Sequence, residues 1–119
     1  LIGSFHDFNA TPAAAQILAK LEAMQAAGAD VAKVAVMPRE LKDVLTLLEA
    51  TLEARQRLTV PLITMAMGPF GSLSRMFGWV FGSTVSFAVG QKASAPGQVP
   101  IEDLRIVLDV LHRALAPQQ

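Results

Sequence analysis

Apolar positions along this chain switch between two spacings, and the switches divide it into short strands and helices. Leu1 to Phe5 is an apolar run that ends at His6-Asp7. Ile17, Leu18, Leu21 and Met24 then recur at helical spacing and predict a helix from Ala13 to Ala27. Thr11 reads as its N-cap, Pro12 as its first helical residue and Gly28 as its stop. The β-branched run after Asp30 predicts a strand closed by Pro38. A second helix is predicted from Glu40 to Leu58, with Leu41, Val44, Leu45, Leu48 and Leu52 as its apolar face. Pro61 opens a third strand, Leu62 to Met67, followed by a Gly68–Gly71 loop and a short helix from Ser72 to Val80. A fourth strand is expected over Thr84–Val89, then a polar loop over Gly90–Pro100. The last helix, Ile101 to Leu115, turns Leu104, Val107, Leu108 and Leu111 inward, and the tail after Pro117 is expected to fray.

Four alternating strand–helix units of about thirty residues predict an α/β fold with a parallel sheet, (βα)4. Two architectures compete. One is an open flavodoxin-like sheet. The other is half of a (βα)8 TIM barrel, since a whole barrel takes about 250 residues and this chain has 119. The open-sheet reading calls for a glycine-rich phosphate loop after the first strand. The loop there is His6-Asp7-Phe8-Asn9-Ala10, without glycine, which weakens nucleotide binding as a function. No interdomain linker is visible, so residues 1–119 read as a single half-barrel domain.

Composition narrows the functions further. Half of the residues are apolar and the formal net charge is zero. No basic patch points to nucleic acid and no polybasic signal points to a membrane surface. Cysteine is absent and there are two histidines, so neither a disulfide framework nor a thiolate metal site is available, and no metal is expected. The nearly uncharged run from Leu58 to Phe70 is too short to span a bilayer and is interrupted by prolines. No secretory signal pattern is visible, so a cytoplasmic location is the simplest expectation. The chain starts at Leu1, inside an apolar stretch, which reads as a processed product or a piece of a longer chain.

The chemically pointed residue is Lys33, alone among apolar and small neighbours in Val31-Ala32-Lys33-Val34-Ala35-Val36. An ammonium is costly to bury there, and a strand lysine in an apolar site is poised to lose its proton and attack a carbonyl. Alternatively, an edge-strand lysine snorkels to water. Alternation puts Lys33, Ala35 and Met37 on one strand face, and small Ala35 leaves room beside the amine. In parallel α/β folds the strand C-termini share one end, and active sites gather there. His6, Asp7, Met65, Met67 and Arg75 belong to that end, with Gln91, Lys92, Ser94 and Gln98 beyond the fourth strand. A lysine, a histidine and an arginine make a coherent set: an imine former, a proton shuttle and a carboxylate clamp.

Four segments occur in order: Ser4-Phe5-His6-Asp7-Phe8, Lys33-Val34-Ala35-Val36-Met37-Pro38, Ile63-Thr64-Met65-Ala66-Met67-Gly68 and Lys92-Ala93-Ser94-Ala95-Pro96-Gly97-Gln98. Together they resemble the type I 3-dehydroquinate dehydratases, Schiff-base lyases of the shikimate pathway of aromatic amino acid biosynthesis. The resemblance covers essentially the whole chain and implies the C-terminal half of a (βα)8 barrel, strands five to eight. It implies Lys33 as the imine-forming lysine and His6 as the general acid/base. Arg75 would bind the substrate carboxylate, Ser94 and Gln98 would close over the substrate, and Met65, Met67 and Phe87 would line the pocket. The substrate implied is 3-dehydroquinate, and no cofactor is needed because the imine is the electron sink. The family's first four strands carry an acidic residue and further arginines that are absent here. A half-barrel also exposes sheet edges and an apolar face, so a homodimer or association with the N-terminal half is expected.

Plainer roles stay beside these. Asp7 is as suited to a turn, or to orienting His6, as to chemistry. His112, Arg39, Lys42, Arg55, Arg57 and Arg113 read as surface helix groups, and Trp79 as a packing residue. The methionines could be core filler and Ser94 a turn residue. A non-catalytic fragment and another Schiff-base lyase or aldolase remain as alternatives.

Overall fold

A computed structural model describes residues 1–84 and 99–116. Within them the expected alternation is present: β1 (Ile2–His6), α1 (Ala14–Ala26), β2 (Val31–Val36), α2 (Leu41–Arg57), β3 (Leu62–Ala66), α3 (Gly71–Phe77) and α4 (Ile101–Leu115), with 3₁₀ turns at Gly68–Phe70 and Gly78–Phe81. The strands are parallel in the order β1-β2-β3. Ser83 bridges Leu62 in parallel and the Thr84 amide donates to the Leu62 carbonyl at 2.6 Å, so the chain begins to run beside β3 where a fourth strand is expected. The rest of that strand, the loop after it, and with them Phe87, Gln91, Lys92, Ser94 and Gln98, lie outside the described residues.

The core lies on one face of the sheet. Ala32, Val34, Val36, Leu62 and Ala66 are buried there against Ile17 and Leu21 of α1 and Leu47, Ala50 and Ala54 of α2. Strand alternation explains the selection, since every second residue faces the helices. Among the described residues no helix lies over the other face at β1 and β2. Ile2, Ser4 and His6 are exposed on it, while Lys33, Ile63 and Met65 are half-buried.

The helix ends follow local chemistry, with one change at the start of α1. Its N-cap is Ala13, and Pro12 stands outside the helix. The Ala13 amide donates to the Gln16 side-chain oxygen at 3.3 Å, which replaces the cap expected from Thr11. At the other end Gly28 takes φ 95°, and the Ala29 amide reaches back to the Met24 carbonyl at 3.0 Å. This closure uses the glycine as expected.

The face of α2 differs from the sequence expectation. Its buried residues are Val44, Leu47, Ala50, Thr51 and Ala54. Leu41, Leu45 and Leu52 are exposed. A helix lying close on a sheet selects small and β-branched residues at the contact, and leucine periodicity alone points to the wrong side. Thr51 fixes the seating: its hydroxyl donates to the Leu47 carbonyl and pairs with the Thr64 hydroxyl of β3, both at 2.7 Å. Arg55 is not a solvated charge either. Its guanidinium donates to the Leu58 carbonyl at 2.6 Å, and its stem lies against Gly82.

On the outer side of β3 the backbone meets serine hydroxyls. The Thr64 amide donates to Ser83 Oγ and the Ala66 amide to Ser74 Oγ, each at 2.9 Å. These buried bonds satisfy donors that would otherwise be orphaned at a strand edge.

Candidate active site

Strand register assembles the site. Ser4 pairs with Lys33 and His6 with Ala35. Lys33 pairs with Ile63 and Ala35 with Met65. Partners in register on parallel strands share a face, so Ser4, Lys33 and Ile63 form one row, and His6, Ala35 and Met65 form the next row toward the strand C-termini. Lys33 and His6 are diagonal neighbours, with Cα atoms roughly 8 Å apart from the strand spacing and rise. A small substrate can lie between them. Ala35, buried between the two, presents only a methyl group and keeps that space open.

His6 is exposed, and its ring lies parallel to that of Phe8 with centroids 5.8 Å apart. Asp7 does not orient it through a recorded bond. Asp7 Oδ1 instead accepts the amides of Asn9 and Ala10, at 2.9 and 3.0 Å. The Asp7 amide donates to the Ala35 carbonyl at 2.9 Å, and Met37 closes the loop through the Ala10 carbonyl at 3.1 Å. Asp7 is therefore the turn former of the β1–α1 loop, and that turn fixes the backbone just after His6.

Lys33 is half-buried. Among the described residues, the apolar enclosure expected from its neighbours comes from the sheet itself. The sequence suggests burial because flanking Val34 and Val36 are apolar, but those residues point into the helix-covered core.

Arg75 lies on α3, half-buried, in a cleft with Ile63, Met65, Trp79 and Thr84. It forms no hydrogen bond or ion pair with another described residue. The row from His6 through Ala35 to Met65 thus continues to Arg75. Met67 follows β3, where its amide bonds the Val36 carbonyl at 2.8 Å. Met37 packs its sulfur against Gly68, whose φ of 74° and missing Cβ allow that approach. Trp79 stacks on His112 with centroids 4.5 Å apart. Trp79 is therefore a packing residue as expected, and His112 is exposed on the helix surface, also as expected, with its ring against the indole. Among the described residues no three metal-ligating side chains cluster, and no helix is long and apolar enough to cross a membrane.

Sequence reasoning missed Ser4, the neighbour of Lys33 on the open face. A lone serine in an edge strand carries no spacing signal, and only register reveals the pairing.

Known proteins share this arrangement of strands and helices. A 3-dehydroquinate dehydratase of Aromatoleum aromaticum is 70% identical over 115 residues, 97% of this chain and 44% of the relative. One from Albidiferax ferrireducens is 56% identical over 119 residues, 100% of this chain and 45% of the relative. The crystal structure of 3-dehydroquinate dehydratase from Geobacillus kaustophilus superposes with a TM-score of 0.89 at 51% identity, over 98% of this chain and 45% of that one. The Clostridium difficile type I enzyme, solved with covalent modified comenic acid, gives 0.88 at 46% identity, over 96% of this chain and 45% of that one. The chain spans less than half the length of these relatives, and its fold is part of a TIM barrel. The family model for type I 3-dehydroquinase matches residues 1–114, and the chain belongs to that family.

Proposed function

We propose that this chain supplies the lysine-bearing half of a type I 3-dehydroquinate dehydratase, strands five to eight of the barrel. The observation that carries the reading is the shared open face of Lys33, His6 and Met65, set by strand register. The order of the His-Asp-Phe, lysine-strand and Ala-Ser-Ala-Pro-Gly-Gln segments supports the choice of half.

In this reading Lys33 Nζ adds to the substrate ketone, water leaves, and a protonated imine forms. The imine acidifies the adjacent carbon, and His6 takes a proton from it to leave an enamine. The enamine expels the neighbouring hydroxyl, which receives the proton from His6 and departs as water. A second water hydrolyses the imine and frees Lys33. One water is consumed and two are released, so the net change is loss of one water, from 3-dehydroquinate to 3-dehydroshikimate. The imine is the electron sink, and no cofactor is required. Arg75 clamps the carboxylate through its guanidinium donors. Met65 and Met67 line the pocket, and by resemblance Phe87, Ser94 and Gln98 complete it.

The competent form is an assembly, with the N-terminal half of the barrel or a second copy over the open face. A second reading, a non-catalytic piece, is favoured by the exposure of His6 and the half-burial of Lys33. Borohydride reduction with 3-dehydroquinate separates the two, with the N-terminal half supplied in trans. Substrate mass is expected on the peptide containing Lys33. Efficient trapping in a Lys33→Ala variant overturns the assignment, and no trapping in any assembly favours the non-catalytic piece.

A further inference from the structure

We propose that Ser74 is a positioning residue for Arg75: its hydroxyl locks the first turn of α3 to β3 and so sets where the guanidinium lies beside the strand rows of the site. The proposal rests on the catalytic reading above, which gives the substrate carboxylate to Arg75. α3 cannot hold Arg75 in place by itself. It has seven residues, and its N-cap Phe70 makes no side-chain hydrogen bond. An isolated helix so short is not stable in water, so its seat comes from tertiary contacts.

Ser74 supplies one of those contacts. It is buried, its hydroxyl donates to the Gly71 carbonyl at 2.9 Å, and its oxygen accepts the Ala66 amide at 2.9 Å. A hydroxyl has a single proton to give, so donation to Gly71 aims the lone pairs at the strand. One side chain thereby joins the start of α3 to the β3 residue between Met65 and Met67. Arg75 follows directly in the chain and shares a cleft with Ile63 and Met65. Ile63 pairs with Lys33 and Met65 with Ala35, so the lock refers the arginine to the strand rows that carry the lysine. A carboxylate clamp must be held within about 0.5 Å and roughly 10–20°, and a short helix free to roll on the strand does not meet that. Ser83 is the matched comparison. It too is buried, and its Oγ accepts the Thr64 amide at 2.9 Å. It fastens the same segment to β3 at the far end, beyond the 3₁₀ turn at Gly78–Phe81. The two serines have like burial and like bonds, and they differ in their distance along the chain from Arg75.

Amide hydrogen exchange on the chain and steady-state kinetics on its assembly with the N-terminal half test this, with circular dichroism to confirm folding. In Ser74→Ala, exchange is expected to quicken by about tenfold at Ala66 and at residues 75–77, and by less at Thr64. Ser83→Ala is expected to show the reverse pattern. In the assembly, Ser74→Ala should raise KM for 3-dehydroquinate about tenfold and change kcat less than about threefold, because a carboxylate that does not react is bound alike in ground and transition states. Ser83→Ala should leave KM within about twofold of the parent. In an Arg75→Ala background, Ser74→Ala should raise KM no further, since a residue that acts through another then has nothing to place. Should Ser74→Ala fail to fold, Ser74→Cys fills the same space with a weaker donor and acceptor, and the same changes are expected at smaller size. Equal KM effects from the two serines overturn the proposal. So does a Ser74 effect that persists without Arg75, or exchange at residues 75–77 that Ser74→Ala leaves unaltered. A parent assembly without turnover overturns the catalytic reading instead, and the exchange measurement on the chain alone still decides whether Ser74 holds Arg75.

Discussion

Gly82 and Gly28 both take positive φ, at 120° and 95°, yet they are not equally replaceable. A Cβ at Gly82 would lie 2.5 Å from Arg55 Cβ, whereas one at Gly28 meets nothing within 4 Å. Gly28→Ala is expected to cost about 1 kcal/mol, the backbone term alone. Gly82→Ala is expected to cost about 2–3 kcal/mol, because Arg55 Cβ is fixed to the α2 backbone and the backbone on one side must shift. Urea unfolding of the two variants compares them, and equal losses would mean that the backbone around Gly82 and Arg55 yields at no cost. At His6 the expectation concerns rate. In a competent assembly His6→Ala should lower turnover by roughly 10²–10⁴-fold, the range for a lost general acid/base. Binding of the substrate carboxylate should persist, since the proposed mechanism gives that task to Arg75. Steady-state kinetics with near wild-type turnover would remove His6 from the mechanism.

Between elements, the bond that seats α2 on the sheet joins Thr51 to Thr64. Both residues are buried. Thr51→Val keeps the shape and strands the Thr64 hydroxyl, so a loss of about 1–3 kcal/mol is expected. Removing both hydroxyls, with Thr51→Val and Thr64→Val together, should recover part of it, because no buried donor is then left unpaired. Denaturant midpoints of the single and double variants decide this, and additive losses would show that the hydroxyls act separately. The elements themselves were largely legible. The end of α1 at Gly28 and the close of β2 before Pro38 follow from backbone chemistry that acts within a few residues. The inward face of α2 was not legible, because Ala50, Thr51 and Ala54 are small or polar and carry little hydrophobic signal. Their burial reflects how closely the helix approaches β3.

For the whole molecule, the open sheet face and the outer edge of β1 dominate. Among the described strands β1 pairs only with β2, and Ile2 on its open face is 63% exposed. Backbone groups on that edge and apolar groups on that face both favour a partner. Light scattering at micromolar concentration is expected to show a species larger than a monomer, and a compact, stable monomer would count against this. Adding the N-terminal half in trans should generate dehydratase activity, provided the chain keeps the shape described. An inactive mixture of two folded halves would show that the catalytic face needs covalent continuity.

The sequence by itself determined the α/β alternation, the parallel order and the family. Strand and helix periods and turn residues are local, and the His-Asp-Phe and lysine-strand segments are contiguous. The identity of the candidate nucleophile was also legible, since a lone lysine in an apolar strand stands out in a linear pattern. Only the tertiary structure decided what faces what. Register set His6 beside Ala35 and Ser4 beside Lys33 across 29 positions of chain. It gave Asp7 to the loop rather than to His6. Packing turned Leu41, Leu45 and Leu52 of α2 outward and left Lys33 half-buried. Such relations depend on distances between residues far apart in the chain, and hydrophobic periodicity says which residues share a face but not what lies opposite it.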